Sequence, residues 1–435
     1  PIDTSMLLLP AHEVTRLILS RTISCEEITK TCIARCRQVN RVINAVVVER
    51  FAAALQEARA VDRDLDLRDR GMPLETFDDA SLNSGIFGVP CVVKECFEMS
   101  GMPFTAGIAS LRGNCGQDTA PAVARWQRSG AIVIGTTNIS EACMFHESNN
   151  PIYGLTRNPY DLTRTAGGSS GGCAAACAAG IVPLAMTSDV GGSTRIPAFY
   201  QCLFGHKPTG GTVPNTRTLP HVDPESRVSR YCQLGPTARS ALDLLPALRA
   251  MAGPDGMDKQ VRGESTSYLP REVDCVSVSK FTVFNCRVPF MSPVVRCALH
   301  AEQSAAQERA VRTLARYGCT VVDLDLDAAV PELREAAGIW AAMLGSAQTT
   351  PFADIITQER PGGNPGFAVM MVELLASIVL GGSTYRHTLP ALGLALLEKI
   401  TDMFPGETAR LESVGAQART RLAALLARPD GAVLV

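Results

Sequence analysis

Two glycine-rich segments that carry serines hold the densest chemical signal in this chain. Thr165–Gly172 reads TAGGSSGG, and Ser188–Pro197 reads SDVGGSTRIP. In the second segment Ser193 follows two glycines at the end of an apolar run. Glycines there let successive backbone N–H groups converge on one point, which is what an oxyanion hole requires. A serine hydroxyl is a poor nucleophile until a base takes its proton. The upstream candidate for that base is Lys94, at the polar end of the run Gly88–Lys94 (GVPCVVK). Desolvation there is expected to push its pKa down and leave a neutral amine able to accept a proton.

Other chemistries fit less well. Gly167–Gly171 formally matches G-x-S-x-G, but Asn158–Arg164 before it is turn-like, and no later histidine is convincingly placed as a partner. A phosphate loop would need G-K-[ST], which is absent. The six histidines are dispersed and no H-E-x-x-H occurs, so neither a metal nor a cofactor is expected. The fifteen cysteines are scattered, with no C-x-x-C. They read as reduced, intracellular thiols that pack, Cys91, Cys96, Cys173 and Cys202 near the glycine segments included. With a formal net charge of -2 and no basic stripe, nucleic acid is not an expected partner.

The elements that must position these residues have clear periodicities. Pro10–Val48 is helical in pattern, with Ser24 as N-cap ahead of Glu26 and Glu27, and Phe51–Asp64 is a second amphipathic helix. Together they predict a helical arm over residues 1–80. Over residues 85–240, Gly88–Lys94, Ala131–Gly135 and Ile181–Met186 read as buried strands, and Pro121–Ser129 and Cys173–Ala179 as helices. That alternation predicts an α/β architecture with a largely parallel sheet covered on both faces. Leu65–Ser84 and Arg262–Glu272 are the linker-like stretches. Neither is long, so one domain over 1–435 is expected, with 241–435 as its remainder. Phe367–Leu380 (FAVMMVELLASIVL) contains Glu373 and falls short of the roughly 20 apolar residues that span a bilayer. It reads as a buried core helix or as a helix dipping into one leaflet. The chain opens at Pro1 and stops within the apolar run Ala432–Val435, so both ends are expected to be cut, leaving an incomplete pocket and an open sheet edge.

Taken together, Lys94, Gly167–Gly172 and Asp189–Pro197 resemble the amidase signature family. Gly205–Thr209 (GHKPT) and Gly235–Ser240 (GPTARS) add to the likeness, which runs from about Met6 to Val435. Within the family the chain is most similar to the fatty-acid amide hydrolase 2 group, through Lys94–Phe97, Cys143–Gly154, Pro197–Pro208 and Pro390–Glu398. The resemblance implies a mixed, twisted central sheet with helices on both faces and an N-terminal helical arm. It implies that Ser193 attacks the carbonyl, that Ser169, on a cis peptide bond, relays the proton, and that Lys94 is the base. The N–H groups of Val190, Gly191, Gly192 and Ser193 would form the oxyanion hole, Ser170 would support Ser169 by hydrogen bonding, and an acyl-enzyme would be hydrolysed by water. Asp189 and Arg195 read as an ion pair bracing the nucleophile turn rather than as catalysts. Met144, Phe145 and His146 are candidates for the acyl pocket, with core or surface roles as the alternative.

The implied substrate is a carboxylic amide, most closely a fatty-acid amide. Expected partners are a small lipid amide, a peripheral membrane contact through 367–380, and a second copy of the chain. The expected location is intracellular and membrane-associated. The rival enzyme is a glutamine-hydrolysing amidotransferase of the A type, which uses the same triad to release ammonia from glutamine. Here, however, Lys207–Thr209 continues as Gly210-Gly211-Thr212-Val213-Pro214, without the G-R-V-S-R expected of that enzyme. A non-catalytic scaffold is the third reading, and the presence of Lys94, Ser169 and Ser193 together argues against it.

Overall fold

The computed structural model describes residues 5–221, 228–261, 263, 269–270, 277–286, 299–345, 352–357, 371–372, 375–376, 379 and 387–435. The chain divides into two compact units, Pro1–Leu269 with Thr349–Leu396, and Pro270–Gln348 with Leu397–Val435. The strands in chain order are β1 (Val46–Glu49), β2 (Pro90–Lys94), β3 (Ile132–Thr137), β4 (Asn149–Asn150), β5 (Gly154–Leu155), β6 (Leu184–Asp189), β7 (Phe204–Gly205), β8 (Gln233–Ala238), β9 (Thr282–Cys286), β10 (Thr320–Leu324) and β11 (Ala432–Leu434).

The first unit is built on a six-stranded sheet in the order β1-β3-β2-β6-β8-β7. The middle strands β3, β2 and β6 run parallel, while β1, β8 and β7 pair antiparallel at the flanks. The sheet is thus mixed, with its parallel part where the sequence shows continuous apolar runs. Every residue of β2, β3, β6 and β8 is buried, so both faces are covered. Full burial of side chains such as Val92, Val93 and Ile134 contributes about 1.5–3 kcal/mol each. The Gly171–Ala178 helix packs on β2, β6 and β8, and the Phe51–Asp69 helix packs on β3. Small residues let the first of these lie close, because a Cβ on Gly172 would stand 2.5 Å from Asn138 N and 2.7 Å from Ala45 O.

The N-terminal periodicity resolves into helices Ala11–Leu19 and Cys25–Ile43, the second capped by Ser24, whose hydroxyl accepts from the Glu27 N–H. It ends earlier than the pattern suggests. Asn44 takes a left-handed φ of 50°, and the β-branched run Val46–Val48 then joins the sheet edge as β1. Buried Asp243 anchors this region to the core, accepting from the N–H groups of Ala11 and His12, both at 2.9 Å.

In the second unit β10, β9 and β11 form a parallel three-stranded sheet, with the Ala301–Arg316 helix between β9 and β10. Ala336–Gly345 packs against Pro405–Leu426. Within Phe367–Leu380, the described residues Met371, Val372, Leu375, Ala376 and Val379 are helical, and the rest of that stretch lies outside the described residues. Among the described residues no helix is long and apolar enough to cross a membrane.

Candidate active site

Three chain segments meet at the C-terminal ends of β2 and β6. Lys94 is the last residue of β2 and is fully buried, an arrangement an amine tolerates only with acceptors in reach. It has two: its Nζ donates to Ser169 Oγ at 2.7 Å and to Ser188 Oγ at 2.9 Å. Ser169 is fully buried and follows a cis peptide bond from Gly168. Its carbonyl oxygen accepts from Ser148 Oγ at 3.1 Å, and the same hydroxyl accepts from the Gly171 N–H at 2.7 Å. Gly168 must be glycine, since a Cβ there would stand 2.5 Å from both Phe145 O and Glu147 N.

Ser193 sits on the turn between β6 and the Arg195–Tyr200 helix, 6% exposed. Its carbonyl accepts from the Ser170 N–H at 3.2 Å, which sets it beside the Gly168–Ser170 segment. Among the described residues, no hydrogen bond joins the Ser193 hydroxyl to Ser169. Ser170 does not bond to Ser169 through its side chain; its hydroxyl donates to Ser188 O at 3.4 Å, tying the two catalytic loops together.

Asp189, fully buried, organises the nucleophile turn. Oδ1 accepts from the Gly192 N–H at 2.7 Å and Arg195 Nη2 at 2.9 Å, while Oδ2 accepts from Arg195 Nε at 2.9 Å and the Thr194 N–H at 3.1 Å. Burial would raise this carboxyl, but Arg195 and then Lys207 and the turn N–H groups hold it down at about 2. The bracing has a consequence for the four expected oxyanion donors. The Gly192 N–H is engaged by Asp189, whereas those of Val190, Gly191 and Ser193 have no backbone acceptor among the described residues.

Burial pushes the Lys94 amine down, yet the sulfur atoms of Cys143, Cys96, Cys173 and Cys232 surround it and carry the net direction upward. The expectation of an amine neutralised by desolvation is therefore corrected, because negative charge on neighbouring sulfur favours the ammonium. Ser188 and Cys143 are the site residues that sequence reading passes over. Ser188 was visible as the residue before Asp189, but Cys143 comes near only through the folding of the 140–148 loop.

That loop carries the proposed pocket residues. Met144 packs against the core, and exposed Phe145 stacks on His146, also exposed, with ring centroids 6.3 Å apart. Its root is fixed by Ser140 Oγ, which contacts Phe145 O at 2.7 Å and Glu147 O at 2.6 Å, and by Glu141, whose carboxylate meets His387 Nδ1 at 2.8 Å and the Thr388 N–H at 2.6 Å. Among the described residues no group of three or more His, Cys, Asp or Glu side chains could hold a metal.

A buried amine on a serine hydroxyl, next to a braced glycine turn bearing a second serine, can move a proton and stabilise an oxyanion. The family model described as Amidase matches residues 27–364. The chain belongs to the amidase signature family. It is an amide-hydrolysing enzyme. Fatty-acid amide hydrolase 2-A of Danio rerio is 37% identical to this amidase over 411 residues, covering 93% of this chain and 71% of that one. The A chain of the glutamyl-tRNA(Gln) amidotransferase from Acidothermus cellulolyticus is also 37% identical, but over 248 residues, or 57% of this chain and 46% of that one. The fold of this amidase matches that of a bacterial aryl acylamidase of the amidase signature family with a TM-score of 0.71, 24% identity, and coverage of 97% and 78%.

Proposed function

We propose that this amidase hydrolyses fatty-acid amides through Ser193, Ser169 and Lys94. The observation that carries the mechanism is the buried hydrogen bond of 2.7 Å from Lys94 Nζ to Ser169 Oγ. Ser193 Oγ attacks the amide carbonyl carbon while its proton passes to Ser169, and the Ser169 proton passes to Lys94. Lys94 must enter this step as the free amine, so the surrounding sulfur atoms oppose the step and alkaline conditions favour it. The oxygen that becomes negative is received by the N–H groups of Val190, Gly191 and Ser193, with Gly192 shaping the turn through its bond to Asp189. On collapse the C–N bond breaks, and the proton returns from Lys94 through Ser169 to the leaving nitrogen. Water then repeats the attack on the acyl-Ser193 ester with the same proton path, releasing the acid. Ser188 holds Lys94 in place as its second acceptor, and Ser170 keeps the loops of Ser169 and Ser193 in register.

The fatty-acyl assignment is supported by the length of the likeness to fatty-acid amide hydrolase 2-A, 93% of this chain against 57% for the amidotransferase. A fluorophosphonate probe tests the nucleophile. The native protein should label and hydrolyse a long-chain acyl amide faster than glutamine, and Ser193→Ala should lose the label. Labelling that survives this substitution removes Ser193 from its role, and a preference for glutamine removes the fatty-acyl assignment.

A further inference from the structure

Two thiols that the reaction does not use lie against its proton path. Cys96, two residues beyond Lys94, is buried, and its sulfur lies 3.8 Å from Ser188 Oγ, the second acceptor of Lys94. Cys143 comes from the 140–148 loop and is only half-buried. Leu219 holds both: its N–H donates to Cys96 O at 2.9 Å, and its carbonyl accepts from Cys143 Sγ at 3.7 Å. The two thiols interact directly, and Cys143 also interacts with Lys94 and Ser169.

The backbone at Cys143 is unusual. Ala142 and Cys143 take φ of 52° and 62° in succession, a left-handed conformation rare for residues other than glycine and asparagine. Tertiary contacts hold it, through the Ala142 N–H on Ala106 O at 2.8 Å and the pairing of Glu141 with His387. The electrostatics separate the two thiols. The hydrogen bond from Cys96, with the charge of Lys94, brings Cys143 down to about 6 against the effect of burial, whereas burial and Cys143 push Cys96 well up. One is an exposed-side thiolate and the other a protonated neighbour, the arrangement of an attacking and a resolving thiol.

We propose that Cys143 and Cys96 form an oxidation site for hydroperoxides that closes to a disulfide and reversibly stops hydrolysis. The stopping of hydrolysis rests on the function proposed above; the oxidation site does not. The Cys143 thiolate attacks the terminal oxygen of a hydroperoxide, an S–O bond forms, the O–O bond breaks, and the leaving alkoxide or hydroxide takes a proton as alcohol or water. Cys143, oxidised by two electrons, is then a sulfenic acid. The Cys96 sulfur attacks it, an S–S bond forms, the S–O bond breaks, and the hydroxide leaves as water with the Cys96 proton. In sum two thiols lose two electrons and two protons to one hydroperoxide. Closure removes the thiolate beside Lys94 and pulls on the 140–148 loop, whose backbone at Phe145 and Glu147 bears directly on Gly168. Ser169 is thereby displaced from Lys94.

Peptide mapping without reduction tests this on the native enzyme. The reduced protein is treated with a few equivalents of hydrogen peroxide, its free thiols are capped, and digests are searched for a Cys96–Cys143 linked peptide while acyl amide hydrolysis is followed. The linked peptide should accumulate in step with a loss of hydrolysis of tenfold or more, and dithiothreitol should reverse both. In Cys143→Ser, whatever hydrolysis the variant has should survive the same dose, and Cys96 should form no link. Inactivation without the linked peptide, or a linked peptide with hydrolysis unchanged, overturns the proposal. An enzyme that cleaves no fatty-acyl amide but still forms the link contradicts the proposed function and leaves the oxidation site standing.

Discussion

At the scale of single residues, the site combines groups whose chemistry is legible in the sequence with others that only the fold brings near. Lys94, Ser169 and Ser193 stand out because each sits where an apolar run or a glycine pair ends. Ser188 and Cys143 do not, since a serine before an aspartate and a cysteine in a loop have many uses, and their nearness to Lys94 is a tertiary fact. The same limit explains why burial alone misjudges Lys94, whose sulfur neighbours come from four separate segments. Glu95, next in the chain, is the clearest pH sensor. It is fully buried, Oε1 accepts from the Thr105 N–H at 2.9 Å, Thr105 Oγ1 at 2.8 Å and Tyr153 OH at 3.0 Å, and Oε2 has no hydrogen-bond partner. Burial raises its carboxyl from 4.5 to about 7 against the pull of Thr105. A folded-state value above the unfolded one means stability fully present below about pH 4.5 and lost as pH rises through about 7. Glu95→Gln should abolish that loss, about 3 kcal/mol, as read from urea unfolding midpoints at pH 5 and pH 8. An unchanged pH dependence in the variant places the titrating group elsewhere.

At the scale of elements, the strands that hold the site were readable where burial on both faces made them continuously apolar, as in Pro90–Lys94 and Ile132–Thr137. The strand before the nucleophile was read too early, at Ile181–Met186 instead of Leu184–Asp189. Its last three residues, Thr187, Ser188 and Asp189, are polar, and they are buried because each is hydrogen-bonded, which hydropathy does not register. Val46–Glu49 passed for the tail of a helix because the left-handed Asn44 that ends it leaves no break in the apolar pattern. The 140–148 loop has no periodicity at all, and it is held by Glu141 on His387, 246 residues away. His387→Ala leaves the buried Glu141 Oε1 without that partner, so unfolding free energy should fall by about 1.5–3 kcal/mol in a urea titration. A loss under a few tenths would mean that the loop is pinned by its other contacts alone.

At the scale of the whole molecule, each of the two compact units carries its own sheet, and the amidase chemistry lies within the first. The second unit's strands Thr282–Cys286, Thr320–Leu324 and Ala432–Leu434 are partly exposed and short, which hid them from a reading based on buried runs. On the first unit, Val372, Leu375 and Val379 are exposed at helical spacing, 66%, 57% and 77% respectively. Such a stripe suits the membrane contact expected of a lipid amidase. Replacing Val372 and Leu375 with Glu should weaken co-sedimentation with liposomes about tenfold and spare hydrolysis of a short soluble amide; unchanged sedimentation assigns the stripe another role. The proton path itself is tested most directly by acid-quenching a reaction with a long-chain acyl amide and mapping the acylated peptide by mass spectrometry. The account predicts the acyl group as an ester on Ser193, absent in Lys94→Ala under the same quench. An acyl group on Cys143, or turnover with no acyl-protein at any quench time, would contradict it.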